Sequence, residues 1–177
     1  LALVSCAVAE TVNATDEAVL NIFSWEGYID YATVIAPFEA ETGIKINYKT
    51  YESNEAMYTL LESGAAEYDV VIPSDYMIGK MIQEDMLAKL NFDNIPNYQY
   101  IDENFRNTAY DPENRYSVPY TWGTVGILYN TKYVDEADVT GWELLWNEKY
   151  AGKILMFDNS RDAFGIAQYL LGYDVNT

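Results

Sequence analysis

The stretch VLNIFSWEGYID, residues 19–30, sets the fold class of this chain. Its first seven residues are a short, mostly apolar run, which is typical of a buried strand. Trp25, Glu26 and Tyr28 follow at once, with only Gly27 among them. An aromatic ring beside a carboxylate is either the edge of a core or half of a cage for an organic cation.

The segments after this strand alternate between strand and helix patterns. Further strands are predicted at 44–51, 68–73, 124–130 and the end of 141–158, and helices at 31–41, after Ser53, after Ser74 and at 159–171. Pro37 predicts that the first helix is kinked or starts late, and Gly43 is expected to stop it. The apolar run at 68–73 is predicted to be an inner parallel strand. This alternation predicts an α/β domain.

Three polar and aromatic clusters each follow a predicted strand and precede a predicted helix, at residues 25–28, 73–76 and 158–162. In a parallel α/β sheet, ligands bind in the crevice beyond the carboxyl ends of the strands. The three clusters are therefore expected to meet in one crevice. Its rings would attract ammonium groups by roughly 0.5 to 2 kcal/mol each, and its carboxylates would add charge-assisted hydrogen bonds.

Each cluster also has a purely structural explanation. Trp25 and Tyr28 can be core and rim packing, and Ser74 can be only a helix cap. Asp75 can be only a favourable charge in the first helical turn. Paired carboxylates acting in glycoside hydrolysis, with rings as sugar platforms, are a further alternative.

The charge balance restricts the partners. The chain has 28 acidic and 10 basic residues, a net charge of -18, which argues against nucleic acid and against anionic membrane surfaces. The surplus suits a cationic ligand, although dispersed carboxylates also keep a protein soluble and monomeric. The absence of His removes the commonest general base and metal ligand, so neither a metal site nor a cofactor is expected. The single Cys excludes an internal disulfide.

Both ends of the chain are predicted to be cut. The opening LALVSC has an apolar residue at Leu3, two small or modest residues and then Cys6, which is the pattern of a lipoprotein signal. We therefore expect Cys6 to carry a lipid that tethers a soluble domain to an outer membrane face. The alternative is an incidental Cys near a terminus. The other end, LGYDVNT, follows an amphipathic segment and predicts a missing remainder.

Four stretches carry a resemblance to a known family. They are TGIKINYKTYESNEAMYTLLESG (42–64), YDVVIPSDYMIGKMIQEDML (68–87), YDPENRYSVPYTWGTVGILYN (110–130) and WELLWNEKYAGKI (142–154). Together they resemble the spermidine/putrescine-binding proteins of polyamine ABC transporters, from about residue 20 to 177. The motifs YESNE, VIPSDY and PYTWG occur in that family in this order and spacing.

The resemblance implies a two-lobed, periplasmic-binding-protein-like α/β fold that closes around its ligand by hinge bending. Residues 1–16 would be a lipoprotein signal remnant and linker, 17–125 lobe 1, and 126–177 the crossover and the start of an incomplete lobe 2. The implied function is a monomeric, non-enzymatic, extracytoplasmic receptor, anchored by lipid, that delivers polyamine to an ABC permease. The alternatives are a receptor for another organic cation or a metal ion, and the paired-carboxylate hydrolase.

The resemblance also implies the ligand-binding residues. Trp25 and Tyr28 match the family's aromatic pair after the first strand, Ser74 and Tyr76 match the pair after VIP, and Asp162 matches an acidic ligand of the second lobe. Asp75 is a further candidate from its place in the second cluster.

Two positions depart from the family's pattern. Gly27 stands where the family commonly has an acidic residue, and Glu26 lies one place earlier; in an extended segment this shift would turn the carboxylate to the opposite face. Asn159 stands where the family often has Asp, which removes a negative charge but keeps a hydrogen-bond acceptor. Both departures count against the polyamine site at these positions, and Glu26 and Asn159 are kept as secondary candidate ligands.

Overall fold

The computed structural model of the chain describes residues 18–174. The predicted lipid site at Cys6 and the linker before residue 17 lie outside the described residues. The chain divides into two compact units, with the boundary between Val118 and Pro119. Within 18–174, no helix is both long and apolar enough to cross a bilayer.

The N-terminal unit contains a three-stranded parallel sheet. Its strands are β1 (Val19–Trp25), β2 (Lys45–Tyr51) and β3 (Val70–Ile72), in the order β2-β1-β3. The three strands predicted in this part of the chain and their parallel direction are confirmed. The prediction of 68–73 as an inner strand is wrong, because β3 pairs only with β1 in the described sheet, over three residues. β1 is central because it alone has a partner on both sides.

Three helices connect and follow these strands. They are α1 (Ala36–Thr42), α2 (Asn54–Glu62) and α3 (Asp75–Gln83). A π-helical turn, Tyr31–Ile35, precedes α1. The helix therefore starts late, with Pro37 in its first turn, where the missing N–H costs no hydrogen bond. Ser53 caps α2 by accepting a hydrogen bond from Ala56 N (3.2 Å), as its position predicts.

The core of this unit lies between the sheet and the helices α2 and α3. Its buried members are Phe23, Tyr51, Met57, Tyr58, Met77 and Met81. The Phe23 ring stacks on Tyr68 (4.4 Å between centroids) and meets Tyr51 edge-on (5.0 Å). Burying each such side chain contributes about 1.5 to 3 kcal/mol. This packing fixes the starts of α2 and α3 relative to the strand ends.

The C-terminal unit contains one regular helix, α4 (Ser160–Leu170), within its described residues. Short 3₁₀ turns precede it at Glu136–Asp138, Trp142–Trp146 and Glu148–Tyr150. The strands predicted at 124–130 and at the end of 141–158 are not formed. A strand exists only through hydrogen bonds to a neighbouring strand, and no described segment pairs with either stretch. Leu128 and Leu155 are accordingly 99% and 95% exposed.

Candidate functional site

The carboxyl ends of the three parallel strands lie at one edge of the sheet. β1 ends at Trp25 beside Tyr51 of β2, while Ser24 lies beside Ile72 of β3. The chain leaves β1 for β2 and then crosses to β3 on the other side, so β1 and β3 flank a topological switch point, where α/β sheets bind ligands. The loops after these two strands carry the first two predicted clusters.

Tyr51 is the centre around which these clusters meet. Its ring lies 4.9 Å from the ring of Trp25, and its hydroxyl donates a hydrogen bond to the carbonyl oxygen of Ile72 (2.6 Å). Burial raises the pKa of Tyr51, and the neighbouring phenols of Tyr28 and Tyr76 raise it further. Tyr51 is therefore a neutral hydrogen-bond donor at physiological pH, and it links the end of β1, through Trp25, with the end of β3, through Ile72.

The loop after β1 is a turn and not an extended segment. Gly27 has a φ of +78°, a conformation that a residue with a side chain adopts only with strain. Tyr28 N donates to the carbonyl oxygen of Trp25 (3.5 Å), and Tyr48 Oη donates to the same oxygen (3.2 Å). Because the segment is not extended, Glu26 does not turn to the opposite face of a strand, and its side chain is exposed. Gly27 supplies the turn that presents the half-exposed Tyr28.

Asn54, at the start of α2, joins the loops after β2 and β3. It is 1% exposed, and its Nδ2 donates hydrogen bonds to Ser74 Oγ (2.9 Å) and Tyr76 Oη (2.9 Å). Its Oδ1 accepts a hydrogen bond from Ser74 N (3.1 Å). Tyr76 Oη in turn donates to Glu55 Oε1 (2.9 Å). The first turns of α2 and α3 therefore share one hydrogen-bond network.

Helix capping does not account for the Ser74 hydroxyl. Ser74 occupies the N-cap position of α3, but its side chain makes no capping hydrogen bond. Asp75 Oδ1 instead accepts from Tyr76 N (2.7 Å). The N-terminus of a helix carries partial positive charge, which disfavours a cation. The carboxylates of Asp75 and Glu55, in the first turns of α3 and α2, offset that charge.

The third predicted cluster lies in the C-terminal unit at the start of α4. Asn159 caps this helix, because its Oδ1 accepts hydrogen bonds from Arg161 N (3.1 Å) and Asp162 N (3.4 Å). Asp162 is partly buried in the first turn. The prediction that this cluster follows a strand is wrong, because the segment directly before it, residues 141–158, forms no strand.

Tyr51, Asn54 and Glu55 are not among the site residues predicted from the sequence. They follow β2, the remaining carboxyl end of the same sheet, so the rule that selected the other two loops also selects the motif YESNE. Among residues 18–174, no group of three or more Cys, Asp or Glu side chains is placed to hold a metal ion. The loops after the three strands carry rings, hydroxyls and single carboxylates, which suit an ammonium group.

The chain is similar to known bacterial solute-binding proteins. The family model of the bacterial extracellular solute-binding protein matches residues 33–177. The spermidine/putrescine-binding periplasmic protein of Escherichia coli (strain K12) is 40% identical over 168 residues, which are 93% of this chain and 47% of that protein. The chain spans about half the length of the curated relatives it matches.

Two solved structures show the same fold. The spermidine/putrescine ABC transporter substrate-binding protein PotD of Streptococcus pneumoniae is 43% identical, with a TM-score of 0.73, over 90% of this chain and 49% of that one. The TpPotD lipoprotein of Treponema pallidum is 37% identical, with a TM-score of 0.82, over 90% of this chain and 50% of that one. The predicted resemblance and the periplasmic-binding-protein-like α/β fold are confirmed. The chain belongs to the family of bacterial extracellular solute-binding proteins.

Proposed function

We propose that the protein is a non-enzymatic receptor that captures spermidine or putrescine and delivers it to an ABC permease. The observation that carries this proposal is that the loops bearing Trp25, Tyr28 and Tyr76 follow strands β1 and β3 at one edge of the parallel sheet, where Tyr51 contacts the Trp25 ring and the Ile72 carbonyl oxygen. Ring faces and methylene chains pack together, while the ring quadrupoles attract the ammonium groups. The names of the relatives support polyamine as the ligand class.

Ser74, three carboxylates and one amide side chain complete the proposed site. The Ser74 hydroxyl is held by Asn54 and makes no helix cap, so it is available to accept a hydrogen bond from an ammonium group. Asp162 is the proposed acidic ligand of the C-terminal unit, with Glu26, Asp75 and Asn159 in supporting positions. The candidate residues up to Tyr76 belong to a proposed lobe 1 of residues 17–125, whereas Asn159 and Asp162 belong to the proposed crossover and start of lobe 2 at 126–177.

The proposed location is extracytoplasmic, with a monomeric receptor anchored by a lipid on Cys6. The relatives are periplasmic or extracellular solute-binding proteins, and one solved neighbour is a lipoprotein. The signal pattern before Cys6 supports the same anchor. Mass spectrometry of the N-terminal peptide would detect the added acyl mass; an unmodified thiol in the native host would contradict the anchor.

Titration calorimetry on the complete gene product tests the proposal. We expect spermidine and putrescine to bind, and Tyr28→Ala to weaken binding by roughly 3- to 30-fold, since a cation–π contact contributes about 0.5 to 2 kcal/mol. Tyr100→Ala is the matched control, because Tyr100 is 78% exposed in a 3₁₀ turn of the same unit and should leave the affinity unchanged. The absence of heat and of a thermal shift with both polyamines would refute the proposal.

A further inference from the structure

We infer that Asn54 is a positioning residue for the polyamine site, which holds the hydroxyls of Ser74 and Tyr76 where a bound amine meets them. The inference rests on the proposed function, and it concerns a residue that belongs to the first turn of α2. Asn54 acts through the two hydroxyls, since its own side chain is buried beneath them.

The hydrogen-bond capacity of the Asn54 amide is matched to this task. An amide side chain has two N–H donors and one carbonyl acceptor. Both donors point to hydroxyl oxygens, one on Ser74 and one on Tyr76, at 2.9 Å each. The carbonyl oxygen accepts from Ser74 N (3.1 Å). Because the Asn54 side chain is only 1% exposed, water does not replace these partners. The hydrogen bonds of Asn54 therefore hold both hydroxyls in place.

The hydrogen bond from Asn54 keeps the Ser74 hydroxyl from capping α3. A Ser at an N-cap usually accepts a hydrogen bond from a backbone N–H two or three residues later. Ser53 does so at the start of α2, where its Oγ accepts from Ala56 N. Ser74 stands at the equivalent position of α3 without this bond. Without the Asn54 amide, we expect Ser74 Oγ to turn toward the first-turn amides of α3, away from the ligand.

The Tyr76 hydroxyl is oriented by the same amide. Because Asn54 donates to Tyr76 Oη, the phenol proton is directed to Glu55 Oε1 (2.9 Å). The arrangement keeps a carboxylate beside the aromatic ring, which combines two features that attract an ammonium group. The sequence distance of 22 residues between Asn54 and Tyr76 means that only the packing of α2 against α3 creates this pair.

A double-mutant cycle tests the inference by calorimetry with spermidine and putrescine. We expect Asn54→Ala to weaken binding by roughly 10-fold, within the range of coupling energies for residues in one network. In a protein that already carries Ser74→Ala and Tyr76→Phe, the same change should weaken binding by less than about 2-fold. Asn47→Ala is the control: Asn47 is an exposed β2 residue that donates to Asn21 Oδ1, and its loss should not alter affinity.

Two results would overturn the inference. One is wild-type affinity in Asn54→Ala, and the other is an equal loss in both backgrounds, which indicates a general effect on the fold. If Asn54→Ala unfolds, Asn54→Ser takes its place in the cycle, because serine offers the Ser74 N–H an acceptor but has one donor for two hydroxyls.

A crystal structure of the ligand-free Asn54→Ala protein separates this inference from the proposed function. Rotation of Ser74 Oγ onto the first-turn N–H groups of α3 is the expected result. If the wild-type protein binds neither polyamine, the proposed function fails, while this rotation still establishes that Asn54 positions the hydroxyl. Unchanged Ser74 and Tyr76 side chains would refute the positioning role whatever the wild-type protein binds.

Discussion

Asp111 organises the loop that closes the N-terminal unit. Its side chain is 3% exposed and accepts hydrogen bonds from the backbone N–H groups of Arg115, Tyr116 and Ser117 and from Ser117 Oγ, all within 3.0 Å. Burial acts to raise the pKa of Asp111, but these hydrogen bonds together outweigh it and hold the pKa below its ordinary value of 3.8. The ionised carboxylate is therefore part of the folded structure.

Replacing this carboxylate should destabilise the protein at neutral pH. We expect Asp111→Asn to lower the free energy of unfolding by about 2 kcal/mol, because the amide N–H₂ faces backbone donors. Since the folded-state pKa is depressed, the stabilisation is present above pH 3.8 and is lost as the pH falls through the folded-state pKa. The difference between wild type and variant should therefore shrink in acid.

Urea unfolding at pH 7 and at several pH values below 3.8 measures this difference. Asp93→Asn is the control, because Asp93 is exposed in the same unit and its replacement should change stability by less than about 0.5 kcal/mol. A difference for Asp111→Asn that is constant over the whole pH range would contradict the assignment.

The predictability of the site differs from residue to residue. Ser74 and Tyr76 could be selected from the sequence, because the strand before them and the helix after them have local patterns. The role of Asn54 could not, since at this position in α2 the sequence gives no sign of a partner 20 or more residues away. Gly27 shows the same limit, because its positive φ is a property of the turn. The comparison with the acidic residue that the family commonly has at this position did not predict it.

At the scale of elements, α1 illustrates a helix whose end is fixed by one residue. Gly43 is the C-cap of α1, with a φ of +73° and its N–H bonded to the carbonyl oxygen of Glu39 (2.9 Å). An L-residue pays about 1 kcal/mol or more for this left-handed conformation. The chain then enters β2 at Lys45, so the cap also determines where the second strand begins.

Gly43→Ala should therefore lower the free energy of unfolding by about 1 kcal/mol. Gly79→Ala is the matched control within α3: a Cβ there would meet Tyr110 Cβ at 3.5 Å, an ordinary van der Waals contact. Alanine favours the helix interior by about 1 kcal/mol over glycine, so this variant should be more stable than wild type. Chemical denaturation compares the two; equal effects of the same sign would show that backbone conformation does not decide the outcome.

The elements that were predicted correctly are those with local determinants. β1 and β2 form as predicted because each has seven residues of strand-forming pattern and a parallel partner in the described chain. α4 forms as predicted because Asn159 supplies its N-terminal cap. The apolar stretches 124–130 and 153–158 have a strand-like pattern as well, yet they remain without ladder hydrogen bonds. Pattern indicates what a segment can become, whereas a sheet requires a neighbour.

At the scale of the whole molecule, the charge distribution bears on how a cation arrives. The net charge of -18 creates a negative potential around the protein that raises the local concentration of cations and their association rate. The proposed site would combine this field with fixed rings, so one part of its affinity for a cation would be long-range and the other part would be contact energy. The two parts differ in their response to salt, because exposed charges are screened over a Debye length of about 10 Å at 0.1 M.

Salt should therefore weaken the binding of spermidine more than that of putrescine, since the former carries three ammonium groups and the latter two. Between about 50 mM and about 500 mM sodium chloride, we expect the Kd of spermidine to rise by roughly 10-fold and that of putrescine by roughly 3-fold. Calorimetry with both ligands at matched pH measures the two slopes. The contact energy proposed for Trp25 and Tyr28 should persist at high salt. Tyr28→Ala should therefore raise the Kd by a similar factor at both salt concentrations. Equal slopes for the two polyamines would contradict the expected dependence on ligand charge, and slopes near zero for both would mean that the surrounding acidic surface contributes nothing to capture.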